Sequence, residues 1–105
     1  MYVRDIEESR VFYEGLGLAF VKEKHGNGPV HYSSEHDGMV FELYPNKGEA
    51  PLDNTLLGFK IANLTGSLSG MDVDSTYEFD GQTVYVVVDP DGRNIELKEG
   101  LSQTA

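Results

Sequence analysis

Glu42 and Glu96 are the residues best placed to do chemistry, because one short phrase carries both. Asp37-Gly38-Met39-Val40-Phe41-Glu42-Leu43 recurs as Asp91-Gly92-Arg93-Asn94-Ile95-Glu96-Leu97. In each copy an Asp-Gly turn leads into a strand that sets one glutamate between two large apolar residues. Strand side chains alternate between faces, so Phe41 and Leu43, like Ile95 and Leu97, point one way and the glutamate the other. A duplicated fold would present the two carboxylates from equivalent places on one sheet surface. Alternation adds Tyr44 to the Glu42 face, and Asn94 and Lys98 to the Glu96 face. Two neighbouring carboxylates can hold a hard divalent ion or attract an organic cation; with neither, they repel and one keeps a proton. The ordinary fate of a strand glutamate is solvation, and only the repetition sets this pair apart.

To position these residues the chain must fold twice in the same way. Residues 1–4 read as a strand stub, and Asp5 as a helix N-cap with Glu8 at capping-box spacing. Ile6, Ser9, Phe12, Tyr13 and Leu16 then form one apolar helical stripe, which Gly15 and Gly17 end. Strands follow at 18–24, 30–34 and 39–44, giving the order β-α-β-β-β. A second set begins with a strand at 55–62 and Asn63 as N-cap. Its helix, 64–71, holds Gly66 and Gly70, each costing about 1 kcal/mol, so one or two turns are expected. Strands at 75–79, 82–88 and 93–98 complete the second unit, and the remaining tail should fray. The β-branched run from Thr83 to Val88 predicts an interior strand covered on both faces. The organisation expected is one domain, 1–105, with module 1 at 1–45, a polar linker at 46–54 and module 2 at 55–100.

Composition narrows the function classes. Eighteen acidic against eight basic residues, a formal charge of −10, disfavour nucleic acid as a partner, since phosphate binding needs clustered Lys and Arg. Solubility explains most such acidity; a groove that attracts cations is the sharper reading. With no cysteine, thiolate chemistry and Cys-based metal sites are out, which suits a cytoplasmic protein. No apolar run approaches the roughly 20 residues that span a bilayer. No Ser-His-Asp spacing or phosphate loop occurs. His25, His31 and His36 read as loop or strand-surface histidines, with His31 a candidate for lining a ligand cup. Tyr32, Tyr44 and Tyr85 read mainly as packing residues.

The two β-α-β-β-β units, the opening Tyr2-Val3-Arg4-Asp5-Ile6-Glu7-Glu8-Ser9-Arg10-Val11-Phe12-Tyr13, and the closing Val88-Asp89-Pro90-Asp91-Gly92-Arg93-Asn94-Ile95-Glu96-Leu97 resemble the glyoxalase I, bleomycin-resistance and extradiol dioxygenase (vicinal oxygen chelate) superfamily. That resemblance implies an α+β fold in which two βαβββ modules form a cup-shaped, mostly antiparallel sheet with helices outside, here with the second helix shortened. It also implies a homodimer and, in the enzymes, a divalent metal held by residues on the first and fourth strands of each unit. Glu42 and Glu96 match both fourth-strand positions. The first-strand position of the second unit is Leu56, which cannot coordinate; that of the first unit falls before Met1. Two functions follow. One is a small-molecule-binding protein with an incomplete or absent metal site. The other is a metal-dependent lyase or isomerase (Ni, Zn, Mn or Mg) using Glu42 and Glu96 as ligands, one of them also a base. Leu56 argues against dioxygenase chemistry.

Overall fold

The computed structural model describes residues 1–49, 51 and 53–100; the expected frayed end beyond residue 100 lies outside the described residues. Asp5 starts the first helix as the sequence predicts: its side chain accepts from the Glu7 and Glu8 N–H groups at 2.9 and 3.2 Å. Glu8 does not reach back to close a capping box but pairs with Arg4 at 3.1 Å. Asp5→Ala should therefore cost about 1 kcal/mol, the usual loss for an N-cap, read as a lower urea midpoint.

The first unit runs β1 (Tyr2–Val3), α1 (Ile6–Gly15), β2 (Val21–Glu23), β3 (His31–His36) and β4 (Met39–Pro45). The strands lie in the order β1-β4-β3-β2, with β1 parallel to β4 and the other pairs antiparallel. β2 is shorter than the predicted 18–24 because the chain before it closes the helix: the Leu18 N–H bonds the Tyr13 carbonyl at 3.2 Å. Gly17, at φ 107°, makes that reversal possible. The β3–β4 turn needs only Asp37 and Gly38, both at positive φ, so β3 runs on past Ser34 to His36. Polar contacts also tie helix to sheet. Tyr32 on β3 donates to Glu7, and Arg10 lies over the Tyr32 ring at 5.3 Å.

The second unit repeats the plan with β5 (Leu57–Ile61), α2 (Leu64–Leu68), β6 (Ser75–Phe79), β7 (Gln82–Val88) and β8 (Asn94–Glu99). Its order, β5-β8-β7-β6, is the first unit's order shifted by four, again with a parallel first pair. The fold is thus α+β, two four-stranded mixed sheets each with one helix. β7 is an interior strand, with Val84, Val86 and Val87 buried on its two faces. The second helix is a single turn, and Asn63 does not cap it. Asn63 sits in the left-handed region at φ 55°, its side chain over Gly66, where an added Cβ would stand 2.7 Å from Asn63 Nδ2. The Leu64 N–H is satisfied instead by Glu99 Oε2 at 2.9 Å. The chain divides into two compact units between Asp53 and Asn54.

Candidate functional site

In the first unit the edge of Tyr13 meets Phe41 at 5.1 Å, which fixes the Phe41 face of β4 toward α1. Glu42 and Tyr44 are thereby turned to the other face. Register then gathers side chains there from three strands: Glu23 stands opposite His31, and Ser33 opposite Glu42. His31 Nε2 lies 3.3 Å from Glu42 Oε2 and 3.4 Å from Glu23 Oε1. His25 Nε2 approaches the same Glu23 oxygen at 3.9 Å. Glu23, His25 and His31 can bring one ligand atom each within 4.8 Å of one another. Beside the carboxylates runs a row of rings. Tyr44 stacks on His31 at 4.3 Å and 11°, His25 lies 5.2 Å from His31, and Tyr2 lies 6.1 Å from Tyr44. Burial, then the negative charges of Glu42 and Glu23, push the Tyr44 phenol above the usual tyrosine value.

His31 is the functional candidate that sequence reasoning undervalued. It is 1% exposed, not a strand-surface histidine. Its partners lie on two neighbouring strands, so they become visible only once the register is known. Nothing in the spacing of 23, 25, 31 and 42 announces it.

In the second unit Glu96 is half-buried and accepts a hydrogen bond from Tyr77, two strands away across β7. The Tyr77 phenol is pushed up by burial first and by Glu96 second. Asn94 and Lys98 share the Glu96 face, Asn94 exposed and Lys98 beside Lys60 of β5. The residue paired with Glu96 on β5 is Gly58, which has no side chain, and Leu56 is 60% exposed with no donor atom. The second unit therefore does not fit a metal bound through its first and fourth strands. Tyr77, which the sequence did not single out, is the nearer partner of Glu96.

Neither a family model nor a curated protein sequence matches the chain. Solved structures do. A lactoylglutathione lyase from Agrobacterium tumefaciens aligns with a TM-score of 0.69 at 16% identity, over 95% of this chain and 89% of that one. A bleomycin-binding protein in complex with bleomycin gives 0.63 at 19% identity, over 96% and 94%. A glyoxalase/dioxygenase from Nostoc punctiforme gives 0.72 at 19%, over 97% and 88%. The chain has the fold shared by these glyoxalase and bleomycin-binding proteins. At these identities the likeness defines the fold; the chemistry must be argued from this chain's own residues. Among the described residues no helix is long and apolar enough to cross a membrane.

Proposed function

We propose that the chain is a small-molecule-binding protein of the bleomycin-resistance kind, acting as a homodimer, which takes a cationic aromatic ligand onto the acidic face at Glu42, Glu96 marking the equivalent face of the second unit. The observation that carries this reading is Tyr2 and Tyr44 laid alongside Glu42 and Glu23, with the buried His31 stacked on Tyr44. Aromatic faces attract organic cations, and carboxylates beside them add both affinity and steering. The chain's net charge of −10 acts in the same direction at long range. Likeness to a bleomycin-binding protein supports the class of ligand.

A thermal-shift screen of cationic aromatic compounds tests it. A true ligand at a hundred times its Kd should raise Tm by on the order of 10 °C. Tyr44→Ala and Glu42→Gln should each reduce that shift. A screen in which no cationic compound stabilises the protein ends this reading.

A second reading, a metal-dependent lyase or isomerase, is favoured by the grouping of Glu23, His25 and His31 and by the likeness to a lactoylglutathione lyase. It requires turnover of lactoylglutathione that a chelator abolishes and a divalent metal restores.

A further inference from the structure

We infer that the first unit holds a divalent metal site of its own, built by Glu23, His25, His31 and Glu42, which selects a borderline ion such as Zn²⁺ or Co²⁺ in four-coordinate geometry. The site needs nothing from Glu96 or the second unit, and it does not depend on the organic-ligand reading.

Three observations converge on it. The first is donor chemistry: two imidazoles with two carboxylates suit zinc-like ions, whereas Mg²⁺ prefers oxygen ligands and waters. The second is spacing. Ligands about 2.0–2.2 Å from a tetrahedral ion stand roughly 3.4 Å apart. The three ligand contacts here are 3.3, 3.4 and 3.9 Å, and Glu23, His25 and His31 already hold their ligand atoms within 4.8 Å of one another. Closing the site asks movement of the exposed His25 and of the half-buried Glu42, which lies outside that group. The third is the state of the His31 ring. Its Nδ1 lies 3.2 Å from the Pro29 carbonyl, an acceptor only, so Nδ1 carries a proton and donates it. Nε2 is left facing two carboxylate oxygens and, at 3.4 Å, the Tyr44 hydroxyl. A proton on Nε2 bonds well to one of these carboxylates; a divalent ion engages both together. A backbone carbonyl that fixes the ring from behind is also the usual support of a metal-bound histidine. Burial of the ring and the stacked Tyr44 hold Nε2 in place, which lowers the cost of ordering a ligand on binding.

Calorimetric titration of the chelator-treated full chain with Zn²⁺, and absorption spectroscopy with Co²⁺, test the site without any assay of activity. One Zn²⁺ should bind per chain at micromolar Kd or tighter, and Co²⁺ should show the intense visible bands of a four-coordinate complex. His31→Gln and Glu42→Gln should weaken Zn²⁺ by more than the roughly 10–100-fold that losing an outer partner costs. Because His31 is buried and its variant is at risk of misfolding, exposed His25→Ala serves as the second probe; it should weaken Zn²⁺ at least tenfold and change the Co²⁺ spectrum. Glu35→Gln, an exposed neighbour on β3, should leave Kd unchanged. No binding tighter than millimolar overturns the site. So does an affinity that Glu96→Gln lowers and His25→Ala does not, which would assign the ion to the paired glutamates instead. Failure of the thermal-shift screen on the chelator-treated chain, with Zn²⁺ binding intact, would sink the organic-ligand reading alone.

Discussion

Arg93→Met should destabilise the protein by about 3–5 kcal/mol, the range for stripping one partner from a buried ion pair. The Arg93 side chain is 3% exposed and lies against two carboxylates that are as deeply buried, Asp89 at 0% and Asp91 at 1%. Its Nη1 atom stands 3.3 Å from Asp89 Oδ2 and 3.4 Å from Asp91 Oδ2. Methionine fills much of the volume but supplies no positive charge, so both carboxylates stay in a poorly solvating place without the guanidinium. Asp89 cannot simply be neutralised in compensation, because its Oδ1 also accepts the Asp91 and Arg93 N–H groups and shapes the turn. Asp91 can: if stranded charge is the cause, Arg93→Met should cost at least 1 kcal/mol less in an Asp91→Asn background. Urea unfolding of the four proteins of that cycle gives the answer. A cost under about 1 kcal/mol for Arg93→Met alone would mean that the turn does not depend on the ion pair.

Arg93 also shows where sequence reading stopped short of information it had. Alternation from Glu96 puts Arg93 on the face of Ile95 and Leu97, both fully buried, and two aspartates precede it within four residues. A buried arginine with acidic partners follows from that parity. The elements bounded by two-residue turns were legible almost to the residue. Asp80 and Gly81 both take positive φ, and β6 and β7 begin and end where the turn requires. Strand ends that depend on tertiary demand were not. Leu18 reads as strand by type, yet its N–H closes the end of α1. Asn63 reads as a cap by type, yet its backbone is left-handed and its side chain, lying over Gly66, makes no cap hydrogen bond. The candidate site divides in the same manner. Glu42 and Tyr44 share a face by period alone, whereas Glu23, His25 and His31 join them only through the β2–β3 and β3–β4 registers. Period is a property of one strand, and register belongs to a pair.

The repeated phrase can be split experimentally into a part that holds the fold and a part free to do chemistry. Leu43 and Leu97 occupy the same place in the two copies, and both are fully buried. Leu43 is in β4 beside Tyr32 of β3; Leu97 is in β8 between Phe59 of β5 and Tyr85 of β7. Neither position is an edge where the chain could relax inward, since β4 and β8 each pair on both sides. Each Leu→Ala substitution should therefore cost about 2–5 kcal/mol, the lost transfer energy plus that of the cavity left behind. Glu96→Gln, one residue away on the opposite face, should change stability by no more than about 0.5 kcal/mol. Its amide oxygen can still accept from Tyr77, and its carboxylate is half-buried, not sealed in. Urea midpoints at unchanged m-value measure all three. The expected ratio, several kcal/mol for the leucines against a few tenths for the glutamate, is what a conserved-shape strand with a replaceable acidic face requires. A Glu96→Gln loss comparable to that of Leu97→Ala would make the carboxylate part of the scaffold, and Glu96 would then not be free to meet a ligand.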